Sequence, residues 1–389
     1  MTTDIQTGYC TNVHAGVDLA TTQRNLVDHA VQVKQRHSPD RAMGVGLWLA
    51  APAASQLLAE EGACEAFANW LADVGLVPFT FNGFPFGDFH QPIVKHRVYQ
   101  PTWSELARRD YTLDLIRIQH ALLPAGLEGS ISTLPIGWGQ PQASDQDVAA
   151  MVEHLCHVAE VLAQLEAETG RCIYVCLEPE PGCVLTYGQD IVRLFEEQLL
   201  PHCANESHLR RHLRVCHDVC HSAVMFEPQA DVLQTYAAAG IRVGKVQVSS
   251  AICLPFAEIP ADERAQAVQQ LQQFAEDRYL HQTTVRRNGS ADHMFYEDLP
   301  AALAEIDQAE HCTDEMRVHF HMPIYLESFG FLRTTRADIV DCLNAARTMG
   351  DVKHFEVETY AWGVLPDELQ AASLAEGIAR EMDWFAELL

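Results

Sequence analysis

Acidic and amide side chains follow several apolar runs of the sequence, at the point where each run ends. The residues concerned are Glu178, Asp218, Gln247 and Glu358. A carboxylate buried beside apolar residues is costly unless it is paired, and several converging carboxylates repel one another unless a cation lies among them. Carboxylates and an amide oxygen, with imidazoles nearby, suit Mn, Mg, Co or Zn. The sequence therefore predicts a divalent metal ion, whose identity stays open.

The alternation of side chains along a strand refines these choices, because residues two apart lie on the same face. Glu356 and Glu358 share a face, and Glu358 lies nearer the end of its run. We therefore prefer Glu358 as the ligand and Glu356 as a partner behind it. Lys245 shares the inner face with Gln247, which predicts either an ion-pair partner of these carboxylates or a catalytic cation.

Histidines accompany the same run ends. His221 follows Asp218 by three residues, and His319 and His321 form the short motif HFH. The segment from Asn82 to Trp103 is rich in glycine, proline and aromatic residues. It is predicted to be a substrate lid, with an ordinary packed loop as the alternative. In this segment His90 and Lys95 could bind an anionic or polyol group, and His14 near the N-terminus is a further candidate contact.

The elements that must position these residues are short β-like runs alternating with long amphipathic helical patterns. This alternation predicts βα units and a parallel sheet. Eight or nine such units in 389 residues favour a (β/α)8 barrel, whose active site is built at the carboxyl ends of its strands. We expect one domain over residues 1–389, with the stretch from Leu280 to Asp298 inserted as a long surface loop over one end.

Composition narrows the function. The chain has 26 Lys and Arg against 53 Asp and Glu, a formal net charge of −27, which weighs against nucleic acid as a partner. It lacks an apolar run of membrane-spanning length and an export signal, so we expect a soluble, cytoplasmic protein without a membrane partner. Most of the 12 cysteines are expected to be reduced core residues. Whether the protein forms a homo-oligomer stays open.

The motifs LEPEPG, HDVCH and FEVET resemble the strand ends of the xylose isomerase-like TIM-barrel superfamily, which contains sugar isomerases, ketose epimerases and apurinic endonucleases. The resemblance implies metal ligands at Glu178, Asp218 and Glu358. It also implies a ligand or supporting role at His221, and Gln247 stands where most members carry histidine. A narrower resemblance, carried by GYCTNVHAG and NGFPFGDFH, is to the metabolite traffic family of bacterial Ebo gene clusters.

The resemblance and the residues together imply a metal-dependent isomerase or epimerase acting on a small polyol or sugar-like substrate. Glu178 and Glu358 would move a proton at a carbon beside a carbonyl, and Asp218 and Gln247 would complete the metal ligands. His319 and His321 would bind substrate oxygens or a second metal. Two alternatives remain open, a metal-dependent phosphodiesterase resembling apurinic endonucleases and a non-catalytic metabolite-binding or traffic protein.

Overall fold

A computed structural model describes residues 5–287, 289–309 and 313–389. In chain order its strands are β1 (Gln6–Cys10), β2 (Met43–Leu47), β3 (Leu76–Asn82), β4 (Gly129–Thr133), β5 (Ile173–Leu177), β6 (Leu213–Asp218), β7 (Val243–Val248), β8 (Ile252–Leu254), β9 (Thr283–Arg287), β10 (His293–Tyr296), β11 (Thr313–Val318), β12 (Ser328–Phe329), β13 (Leu332–Thr334) and β14 (His354–Val357). Strands β1 to β7 and β14 pair in parallel and close into an eight-stranded barrel. The predicted (β/α)8 barrel is confirmed, and the single-domain interpretation of residues 1–389 stays a prediction.

Most of the helices follow the barrel strands and cover them on the outside, whereas two, Arg264–Gln272 and Leu299–Ala309, pack against a second sheet. They are α1 (Leu19–Asn25), α2 (Val31–His37), α3 (Ala51–Ala59), α4 (Ala63–Asp73), α5 (Leu106–Leu122), α6 (Asp145–Thr169), α7 (Gly188–Arg193), α8 (Glu206–His212), α9 (Val219–Val224), α10 (Gln229–Ala238), α11 (Arg264–Gln272), α12 (Leu299–Ala309), α13 (Arg336–Met349) and α14 (Leu374–Leu388). Helix α6 begins with a capping box between Ser144 and Asp147 and ends at Gly170, whose φ of 71° suits glycine. It is long and apolar enough to cross a membrane, but Leu155, Val158 and other apolar residues of this helix are buried in the barrel core.

A second sheet is inserted between β7 and β14. Strands β8 to β13 form it in the order β10-β9-β11-β8-β13-β12, with antiparallel pairing, and it has its own apolar core around residues such as Phe256 and Met316. The prediction of a surface loop from Leu280 to Asp298 is wrong, because this stretch contains β9 and β10. Strand β9 pairs locally with β10 in an antiparallel hairpin, and on its other edge it pairs with β11, some 30 residues further along, a non-local contact that leaves no local signal.

Most of the cysteines in the described part of the chain are buried, as expected of core residues. Among the described residues Cys156 and Cys203 form a disulfide, which joins α6 to the segment before α8. Seven of the other described cysteines are buried. Those on β5 and β6 pack together inside the barrel, where they behave as small apolar side chains.

The barrel interior also holds a buried ion pair. Lys245 Nζ lies 2.6 Å from Glu356 Oε2, and both side chains are fully buried. Lys245 also donates to Ser132 Oγ at 3.2 Å. A β-carbon at Gly46 would lie only 1.2 Å from Glu356 Oε1, so the carboxylate occupies the space that a side chain on β2 would need. The interior of a (β/α)8 barrel is usually filled by branched aliphatic residues.

Helix α14 carries a buried carboxyl that should make stability depend on pH. Glu381 accepts hydrogen bonds from Ile324 N–H, the Thr359 hydroxyl and Trp362 Nε1, but burial dominates and raises its pKa from 4.5 to about 7. A raised folded pKa gives stability that is present below pH 4.5 and is lost as the pH rises through 7. We expect the free energy of unfolding of Glu381→Gln to fall less than that of the wild type between pH 4.5 and 8, by about 2–3 kcal/mol. Urea unfolding across this range measures it, and Glu376→Gln on the exposed face of α14 should behave as the wild type.

Candidate metal centre and pocket

Three carboxylates meet at the carboxyl-terminal mouth of the barrel. Glu178 follows β5, Asp218 ends β6 and Glu358 follows β14, and oxygens of the three lie within 4.8 Å of one another. The residues are 3%, 1% and 5% exposed. The parallel strands bring them together because the carboxyl ends of all eight strands meet at the same rim.

Several polar atoms at this point have no hydrogen-bond partner. They are Glu178 Oε2, Asp218 Oδ2 and both side-chain amide atoms of Gln247. Gln247 is fully buried on β7 and pairs in register with Asp218 on one side and Glu356 on the other. Buried polar atoms are nearly always satisfied in proteins, so the donor set fits a divalent cation.

Burial and the closeness of the three carboxyl groups shift their pKa values. Burial, together with repulsion from Glu358 and Asp218, raises the pKa of Glu178 well above its usual value. Burial and the neighbouring Asp218 and Glu356 raise the pKa of Glu358 to about 8. Burial acts in the same direction on Asp218, but His221 and His321 outweigh it and hold the pKa of Asp218 below its usual value. A cation would stabilise the ionised form of all three.

Three imidazoles lie beside the carboxylates. Ligand atoms of Asp218, His221 and His321 lie within 4.8 Å of one another, and those of Glu180, His221 and His319 form a second such group. His221 Nδ1 donates to Pro179 O and His321 Nδ1 donates to Glu358 O, each at 2.8 Å. These bonds leave Nε2 of both rings as the acceptor atom, which is how metal-binding histidines are commonly held.

Glu180 is a site residue that the sequence patterns did not reveal. Its Oε1 accepts hydrogen bonds from the Tyr99 hydroxyl at 2.7 Å and from Gln282 Nε2 at 2.9 Å. Gln282 Oε1 in turn accepts from His319 Nδ1 at 2.8 Å. Glu180 lies two residues after Glu178 in LEPEPG, so its place at the end of the same apolar strand was visible in the sequence. Its role could not be assigned, because its partners Tyr99 and Gln282 are distant in the sequence.

Two asparagines were missed as well. Asn12 Nδ2 and Asn82 Nδ2 donate to Glu358 Oε1 at 2.5 and 3.2 Å. They fix one oxygen of Glu358 from the ends of β1 and β3. Asn82 ends an apolar strand, which is the signal that identified the acidic residues, and it could have been found in the same way.

A pocket opens above these groups, with about 550 Å³ of empty space including the part open to solvent. Its polar floor contains Glu178, Glu358 and the three histidines, and the segment from Asn82 to Trp103 contributes much of its wall. The segment therefore lines the pocket at the mouth, and its role as a substrate lid stays a prediction. Lys95 lies in the wall, where its Nζ is 2.6 Å from Asp298 Oδ2.

Other predicted contacts lie away from the floor. His14 Nε2 is 3.0 Å from the Tyr9 hydroxyl, and the ring stacks on His29. His90 Nε2 donates to Asn12 O at 2.6 Å, behind the pocket lining. Lys245 and Glu356 pair with each other below the mouth, which is the ion-pair alternative considered for Lys245.

The chain matches no known protein-family model and no curated protein. It is similar to the solved structure of a xylose isomerase-like TIM-barrel protein from Mycobacterium smegmatis in complex with magnesium. The two share 11% identity with a TM-score of 0.50, over 100% of this chain and 96% of that one. A structure of the IolI protein with a bound zinc atom has 10% identity and a TM-score of 0.48, over 99% and 98% of the two chains. An AP endonuclease of family 2 from Brucella melitensis has 14% identity and a TM-score of 0.40, over 71% and 91%.

These likenesses are structural. The chain has the fold of the xylose isomerase-like (β/α)8 barrels, with a closed ring of eight parallel strands flanked by helices.

Proposed function

We propose that the protein is a metal-dependent isomerase or epimerase of a small sugar-like or cyclitol-like compound. The convergence of Glu178, Asp218 and Glu358 on one buried point, with unpaired oxygens on Glu178 and Asp218, carries the proposal. A divalent ion bound by these carboxylates and Gln247 would polarise a substrate carbonyl. The magnesium in the Mycobacterium smegmatis barrel supports a divalent ion in this chain.

The proton chemistry belongs to the two glutamates. Strands β5 and β14 are three places apart around the ring, so Glu178 and Glu358 face the pocket from different sides. One carboxylate would take a proton from a carbon beside a carbonyl. Delivery of that proton by the same group to the former carbonyl carbon, with the adjacent hydroxyl proton passing to the former carbonyl oxygen, would give an isomer. Delivery of a proton by the other glutamate to the opposite face of the original carbon would give an epimer. Asn12 and Asn82 hold Glu358 in place while it does so.

The setting follows from the narrower sequence resemblance. The motifs shared with the Ebo-cluster traffic family support a cytoplasmic pathway that makes or moves a cyclitol or another secondary metabolite. The partly enclosed pocket, with its polar floor, supports a small-molecule substrate.

Deuterium exchange tests the proposal on a panel of candidate substrates. The protein would be incubated in D₂O with Mg²⁺, Mn²⁺, Co²⁺ or Zn²⁺ and with D-fructose, D-tagatose, D-psicose and scyllo-inosose. Mass spectrometry should show deuterium entering at least one compound, and Glu178→Gln or Glu358→Gln should slow it by at least about 100-fold. Glu153→Gln, an exposed carboxyl on α6, is the matched control. Exchange and metal content that survive both substitutions would contradict the proposal.

A metal-dependent phosphodiesterase is the second candidate, favoured by the groups Glu180–His221–His319 and Asp218–His221–His321, which could hold a further ion. The net charge of −27 opposes a nucleic-acid substrate. Cleavage of an abasic duplex by the metal-loaded protein would favour this candidate. A purified protein that binds no divalent metal would instead favour a non-catalytic metabolite-binding or traffic protein.

A further inference from the structure

One wall of the pocket above the carboxylates is apolar. The segment 83–100 contributes Phe84, Pro85, Phe89, Val94 and Val98, and the inserted segment contributes Leu280. The hydroxyls around the edge of a sugar ring need hydrogen-bonding partners, although the C–H groups of one ring face can pack on aromatic side chains. This wall instead offers a surface that favours apolar groups.

The aromatic residues of the wall keep their polar atoms engaged within the protein. The Tyr279 hydroxyl donates to Phe89 O at 3.3 Å, and the two rings lie 5.0 Å apart. The Tyr99 hydroxyl donates to Glu180 at 2.7 Å. Both hydroxyls thus already serve protein acceptors, and the wall presents mainly ring and aliphatic surface.

The pocket offers little to an anionic group. Among the described residues that line the pocket, Lys95 is the only lysine or arginine. Its Nζ lies 2.6 Å from Asp298 Oδ2. Asp298 also accepts from the backbone N–H groups of His281 and Leu299, so this ion pair is held in place. A phosphate ester in the pocket would instead meet the carboxylates of the floor.

We propose that the substrate is uncharged and has two parts, a hydroxylated carbonyl-containing head and an apolar arm such as an aryl group. The head lies on the polar floor near Glu178 and Glu358, and the arm packs against the wall formed by Phe84, Phe89 and Val98. The inference rests on the proposed function for the head, whereas the arm depends on the wall alone.

Matched probes test the arm. Binding of methyl β-D-glucoside and phenyl β-D-glucoside to the full chain would be measured by calorimetry, with Mg²⁺ present and again after treatment with EDTA. We expect the phenyl compound to bind at least ten-fold tighter, equivalent to about 1.4 kcal/mol. D-glucose 6-phosphate should bind more weakly than D-glucose. Equal binding of the two glucosides, no binding of the phenyl compound, or tighter binding of the phosphate would overturn the proposal.

Two valine substitutions locate the effect. Val98→Asn places an amide in the wall and should reduce the phenyl-to-methyl preference at least three-fold. Val340→Asn, on the outer helix α13 where the side chain is 36% exposed, should leave the preference unchanged. If Val98→Asn does not fold, the near-isosteric Val98→Thr replaces it. If the preference for the phenyl glucoside persists after EDTA but no compound takes up deuterium, the proposed isomerase is rejected and the apolar arm is retained. If deuterium exchange occurs but the two glucosides bind equally, the arm alone is rejected.

Discussion

Replacing Glu178 with glutamine is expected to weaken binding of a divalent metal by at least about 100-fold while stabilising the metal-free protein. The first effect follows because glutamine removes one of three converging charges, and even residues behind a metal ligand change affinity by about 10–100-fold. The second follows because Glu178 is repelled by Asp218 and Glu358 and is buried beside them. Because burial and this repulsion disfavour the ionised carboxyl of Glu178, replacing it with a neutral amide should raise the free energy of unfolding by about 1–3 kcal/mol.

The opposite signs make this a sharp test. Metal affinity would be measured by calorimetry and stability by urea unfolding in EDTA, with Glu153→Gln as the exposed control. If Glu178 acted only as a structural hydrogen-bond acceptor, its replacement by glutamine would instead lower the free energy of unfolding of the protein. A destabilised variant with unchanged metal affinity would therefore contradict the metal centre.

Replacing Lys245 with methionine should lower the free energy of unfolding by about 3–5 kcal/mol, because it leaves Glu356 buried without its cation. The double variant Lys245→Met with Glu356→Gln removes both charges and should recover at least half of the loss. Urea unfolding of the two single variants and the double variant measures the coupling. A loss below about 1 kcal/mol in Lys245→Met would show that the pair does not hold the barrel interior together.

The sequence was sufficient to predict the barrel and the meeting of three carboxylates at its mouth, whereas their role as a metal site stays a prediction. Glu178, Asp218 and Glu358 were identifiable because each ends an apolar run, and a barrel brings such ends to one rim. The same rule would have identified Asn82. Glu180 could not be assigned, because its role depends on Tyr99 and Gln282, which are distant in sequence.

The inserted sheet marks the limit of the sequence patterns. Its strands have only two to six residues, and the antiparallel pairs β9–β11 and β8–β13 join strands that are separated by long stretches of chain. The segment that begins at Arg317 has the composition of a strand, but its sequence does not indicate which sheet it joins. It lies in the second sheet as part of β11, and His319 and His321 follow it.

His319 and His321 therefore reach the rim from outside the barrel, whereas Asp218 and Glu358 belong to it. An ion that contacts Asp218 and His321 would add a further link between the barrel and the insertion, which already meet through packing and through hydrogen bonds such as those from Gln282 to Glu180 and from His321 to Glu358 O. By thermodynamic linkage, metal affinity and the docking of the insertion would then strengthen each other. A destabilising substitution deep in the second core, far from any ligand, would then lower the metal affinity. Removing the metal with a chelator would weaken the docking of the insertion on the barrel.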